Sequence, residues 1–157
     1  MRKKLLRKSL TMLAVSFCMM MVHQAHAQFT KGNLVILRIG NDTGAVLTSS
    51  STACFLDQIT TAGALVNSFA IPATGKKRLT MSGSATSEGQ ITLTPDGKRI
   101  IVAGYDTLVG RASVSSSAAT SIPRVINEIT STAVMTRAAS SDSFQTNNSM
   151  RSAASSG

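Results

Sequence analysis

The sequence predicts an all-β fold of short antiparallel strands, and three observations predict it. Thr and the β-branched aliphatics are used heavily, and they favour a pleated, half-buried surface over a helix. Beyond residue 27 no segment sustains a helical period, and short apolar or alternating runs recur, each followed by a turn signal. One hairpin-like stretch is also written twice, as FLDQITTAGALVNSF at 55–69 and RVINEITSTAVMTRA at 124–138.

The first 27 residues read as a secretory signal peptide rather than as part of the fold. Arg2, Lys3, Lys4, Arg7 and Lys8 form a cationic start, LTMLAVSFCMMMV is an apolar run, and Ala25 and Ala27 form the small-residue cleavage signal. A membrane span needs about 20 apolar residues, so this run is too short to anchor the chain. Cys18 is preceded by Phe17, where lipoprotein processing requires a small residue.

Removing the leader changes the charge. Five of the 16 Lys and Arg leave with it, so eleven face the 7 acids. The basic cluster that remains, Lys76-Lys77-Arg78, adjoins no stacking aromatic and reads as a solvated loop, so no nucleic-acid partner is expected. Both histidines, His23 and His26, also leave, as does Cys18. Cys54 is then the single thiol, set in the strand-like run ACFLDQIT where Cys acts as a small hydrophobe.

The strands follow in order. NLVILRIG at 33–40 is closed by the turn cluster GNDTG. ACFLDQIT (53–60) and ALVNSFAI (64–71) are joined by Thr61-Ala62-Gly63, and Pro72 stops the second. RLTMSGS at 78–84 is a weaker strand. In GQITLTPDGKRIIVAGY, Pro95-Asp96-Gly97 turns the chain between strands at 90–94 and 99–105. Proline presets φ, Asp bonds its own backbone and Gly accepts positive φ. RASVSSSAATS at 111–121 has little to bury and reads as a loop. RVINEIT (124–130) and AVMTRAA (133–139) form a further hairpin through Ser131-Thr132.

The two hairpins align at an offset of seventy over Leu56–Thr60 and at sixty-nine over Ala64–Asn67, as though the second turn had lost a residue. SEGQITLTPDG and NNSMRSAASSG correspond in the same order of elements at an offset of sixty. A repeated unit of four short antiparallel strands reads as a β-propeller blade. The expected organisation is a signal peptide at 1–27 and the N-terminal strands of a partial, closing blade at 28–86. A first complete blade-like repeat follows at 87–141 with its Ser/Ala-rich loop at 111–121, and a next repeat starts at 142–157. A lone blade cannot bury both faces, so the chain is expected to be the front part of a longer protein. The competing arrangement is a complete small β-sandwich with a polar tail.

At GNLVILRIGNDTGAVL, ACFLDQITTAGALVNSFAIP and LTMSGSATSEGQITLTPDGKRIIVAGYDT the chain resembles a group of large, exported bacterial proteins with propeller-like repeats. The resemblance covers nearly all of residues 32–157 and implies a propeller-type fold and a place outside the cell. It implies no catalytic residues.

The residues themselves nominate no catalytic, cofactor-binding or metal site. Without His beyond the leader there is no Ser-His-Asp or Cys-His arrangement, and nothing marks out a Ser-Lys pair. Asp42, Asp57, Glu88, Asp96, Asp106, Glu128 and Asp142 fall mostly at turns, where Asp has a local backbone role. Asp57 and Glu128 hold near-equivalent repeat positions, which suggests structure rather than chemistry. Asn41 and Asp42 lie in a Gly-flanked loop open to calcium in principle, but their spacing matches no calcium loop. Asn41 and Asn147 head glycosylation sequons in form only.

The expected function is an exported, cell-surface or extracellular (or periplasmic) binding or structural module without catalysis, whose ligand is a protein or polysaccharide. Stable membrane insertion after signal cleavage is not expected. One alternative is the N-terminal part of an exported propeller enzyme, a polysaccharide lyase or hydrolase with its active site elsewhere. The other is the complete secreted β-sandwich.

Overall fold

The apolar run after Asn33 forms strand β1 (Leu34–Ile39) in the computed structural model, which describes residues 29–41, 43–143 and 147–156. The expected leader, Asp42 and Gly157 lie outside the described residues. β1 pairs antiparallel with β3 (Cys54–Ile59), and β3 pairs with β4 (Leu65–Ala70), giving a three-stranded first sheet. β2 (Ser51–Thr52) and β5 (Met81–Ser82) form a short two-stranded ladder. β6 (Thr92–Leu93), β7 (Arg99–Tyr105), β8 (Arg124–Thr130) and β9 (Met135–Ser141) form a four-stranded antiparallel meander in chain order. The described residues are all-β, as the sequence predicts, apart from a 3-10 turn at Val114–Ser116.

Alternation along the strands places the core. In β7, Ile100 and Val102 point one way, while Ala103 and Tyr105 belong to a cluster on the other face. Ile100, Val102, Val125, Ile129 and Met135 meet Cys54 and Leu56 of the first sheet, with Val35, Leu37 and Phe69 at the margin. The two sheets thus share one core through facing surfaces, the layered arrangement that buries an apolar sheet face. Leu56 is fully buried there, and removing such a side chain from water contributes about 1.5–3 kcal/mol. Gly104 lets the chain approach closely: a Cβ at that position would stand 2.7 Å from both Leu79 Cδ2 and the Thr80 carbonyl.

The two related hairpins close with the same hydrogen bonds. Thr60 N donates to Ala64 O, Gly63 N to Thr60 O, and Ala64 N to Thr60 Oγ1. Seventy positions on, Thr130 N donates to Val134 O, Ala133 N to Thr130 O, and Val134 N to Thr130 Oγ1. The expectation that the second turn has lost a residue is therefore corrected, because both turns have the same length. What differs is the place of a β-bulge, between Gln58 and Ile59 in one hairpin and between Ile126 and Asn127 in the other. In this frame Asp57 lines up with Asn127, and Gln58 with Glu128.

Four other expectations change. The strand predicted at 90–94 is a ladder of Thr92–Leu93 alone, and that at 78–84 shrinks to Met81–Ser82. The 111–121 segment is a loop but does bury side chains: Val114 and Ala119 are inaccessible, and Val114 packs with Ala103, Tyr105, Ile122 and Met150. The strand-like run expected near the end forms no strand over residues 151–156 and is tied down where Thr92 Oγ1 donates to Ala153 O at 2.6 Å. Among the described residues no helix is long and apolar enough to cross a membrane.

Candidate functional site

The carboxylates that sequence reasoning weighed are built into the fold. Asp96 sits in its turn as an Asx residue, its Oδ1 accepting from Thr94 Oγ1 at 2.5 Å and from Lys98 N at 3.0 Å. Asp57, in mid-β3, accepts from Arg38 Nε at 2.5 Å and from Ser68 Oγ at 2.5 Å. The Arg38 hydrogen bond holds its carboxyl below the usual carboxylate range, against the opposing effect of burial. Arg38 in turn lies over the Phe55 ring at 4.4 Å. Glu128 pairs with Arg99 at 3.1 Å on the more exposed face of its strand, and Asp142 is exposed.

Asp106 explains the basic cluster. It lies 2.6 Å from Arg78 Nε and 3.2 Å from Arg137 Nη1, while Arg137 Nη2 donates to the Arg78 carbonyl and Nε to Asn127 Oδ1. Arg78 is thus partly neutralised and fastened to the sheet. Lys76 and Lys77 remain exposed, as a solvated loop requires.

Arg124, a fully buried cation, was not singled out from the sequence. Its guanidinium stacks 4.9 Å from the Tyr105 ring and donates to the carbonyls of Ile122, Ser117, Ser115 and Asn148. Burial lowers its pKa. Tyr105 donates to Glu88 Oε1 at 2.5 Å and accepts from Met150 N at 3.1 Å, and the second oxygen of Glu88 accepts from Ser82 N. Burial, followed by the Glu88 hydrogen bond, pushes the phenol well above its ordinary value, so it stays a donor at neutral pH. The cluster joins four distant chain segments. Its polar atoms face backbone groups and one another, which is the chemistry of a clamp. The only sequence signal was that Arg124 opens a strand in which Val125, Ile126 and Ile129 are apolar.

Cys54 is buried, its thiol donates to the Leu79 carbonyl at 3.7 Å, and burial raises its pKa to about 12. It has the character of a core hydrophobe and not of a nucleophile. Among the described residues no three His, Cys, Asp or Glu side chains group as metal ligands. The calcium reading at Asn41 and Asp42 involves Asp42, outside the described residues.

The chain matches no known protein-family model, no curated protein and no solved structure.

One surface remains. The outer face of the first sheet carries Leu34, Ile36 and Leu65, with Val66 at the bulge, and Leu65 is 63% exposed. The Arg38–Asp57 pair lies among them with its charge balanced. An antiparallel sheet face turned to water is ordinarily polar. This one is apolar around a neutral centre.

Proposed function

We propose that the protein is an exported, non-catalytic repeat protein of the β-propeller type, acting as a cell-surface or extracellular binding or structural module. One observation carries the reading: the outer face of the first sheet exposes Leu34, Ile36, Leu65 and Val66, the composition of a face that packs on another sheet. The four-stranded meander and the shared closing turns of the two hairpins support it, since serial units of this kind each lean on a neighbour. The leader composition supports export, and the loss of both histidines with that leader supports a role without nucleophilic chemistry. The ligand is a protein or a polysaccharide.

A crystal structure of the exported protein tests this reading. The expected result is a further four-stranded sheet seated on Leu34, Ile36 and Leu65, with the sheets arranged around an axis. A solvent-covered face at Ile36 would overturn it in favour of a two-layer sandwich. That second reading draws on the core shared by the two sheets and on Val114 and Met150, which cover the far side of the meander.

A further inference from the structure

At the end of the two sheets where their hairpins turn, the chain leaves a cleft of about 560 Å³, within the size range of small-molecule sites. Its floor is the margin of the main core: Phe29, Val35, Ile100 and Ile129. Leu34 and Leu93 form its lips, and Leu93 is 64% exposed. The rim is cationic, with Lys31 on one side and Lys98 and Arg99 on the other, and among the described residues no carboxylate lines the cleft. Asp96 and Glu128 answer Lys98 and Arg99 from outside it, at 3.8 and 3.1 Å. Lys31 has no ion pair among the described residues.

The walls are held in place independently of any occupant. Phe29 N donates to Ser131 O, bridging the N-terminal segment to the β8–β9 turn, and Gln58 Nε2 donates to Thr30 O. The opposite wall is the Pro95-Asp96-Gly97 turn, fixed by its own Asx bonds. A preformed apolar floor under a rim of three cations, of which Lys31 has no carboxylate partner among the described residues, selects a ligand with two parts, because each part alone satisfies only half of the lining.

We propose that this cleft binds an amphipathic monoanion, an apolar chain or ring system carrying one carboxylate or sulfonate, with the apolar part on Phe29, Ile100 and Ile129 and the head group at Lys31 and Lys98. The inference stands on the cleft alone and does not depend on how many sheets the protein contains.

Isothermal titration of the exported protein with dodecanoate, and separately with dodecyltrimethylammonium, both below their micelle concentrations, tests it. Dodecanoate is expected to bind one to one, and the cationic amphiphile at least about tenfold more weakly. The double variant Lys31→Glu, Lys98→Glu is expected to lose about fivefold or more in dodecanoate affinity, the scale of an exposed charge contact. Its sites are exposed, so its fold is retained. Ile36→Asp, on the outer face of the first sheet, leaves the affinity unchanged. Absence of binding, equal binding of the two amphiphiles, an unaffected double variant, or a loss confined to Ile36→Asp would each overturn the proposal.

Discussion

The Tyr105 hydroxyl donates to Glu88 at 2.5 Å and accepts from Met150 N at 3.1 Å, so one oxygen holds the C-terminal segment and the residue 88 loop to the same strand. Tyr105→Phe removes both bonds while keeping the ring over Arg124. It is expected to cost about 1–3 kcal/mol, because a half-buried carboxylate and a buried amide each lose a partner. Urea unfolding measures the cost. Hydrogen exchange at the Met150 amide should rise more than exchange at Cys54, and equal rises would contradict the clamp.

The matched turns give a paired test. Gly63 and Ala133 hold the same place in their hairpins with φ of 86° and 58°. A Cβ at Gly63 would meet nothing within 4 Å, so Gly63→Ala isolates the backbone penalty and should destabilise by about 1 kcal/mol. Ala133→Gly relieves that penalty but frees the unfolded chain, leaving a net gain of at most about 1 kcal/mol. Opposite signs in urea midpoint are the expected result.

Asp57 sets an acid limit. Its folded pKa is lowered, chiefly by the Arg38 hydrogen bond, from an unfolded value near 3.8. The stability it contributes is therefore complete above that value and is lost as pH falls through the lower, folded one. Thermal unfolding below about pH 4 should fall less steeply with pH in Asp57→Asn than in the parent chain.

Cys54 acts at the other end of the scale. Burial raises its thiol from 9.0 to about 12, so its contribution is complete below pH 9 and is lost as pH rises towards 12. In a Cys18→Ser background, the thiol should resist a disulfide reagent at pH 8 until urea unfolds the chain. Rapid labelling of the folded protein would contradict its burial.

The strands most legible in the sequence were those that run for six or seven residues. Arg99–Tyr105 and Arg124–Thr130 fold over the predicted bounds, and Leu34–Ile39 lies inside its run, because alternation and turn residues are local properties. Met81–Ser82 was over-read because its ladder with Ser51–Thr52 extends over two positions only. The 111–121 loop looked too polar to bury anything. Val114 is nevertheless inaccessible, held where its N donates to Ser49 O.

By itself, the sequence determined an all-β chain, its hairpins and their turns, since these depend on side-chain period and on residues that accept a particular φ. Only the tertiary structure decided the frame of the two hairpins, the place of Arg124 over Tyr105, and the cleft between the turns. Each depends on where segments far apart in the chain come to rest. A bulge slips one residue without altering composition, and a buried guanidinium is stable only where carbonyls from several loops converge on it.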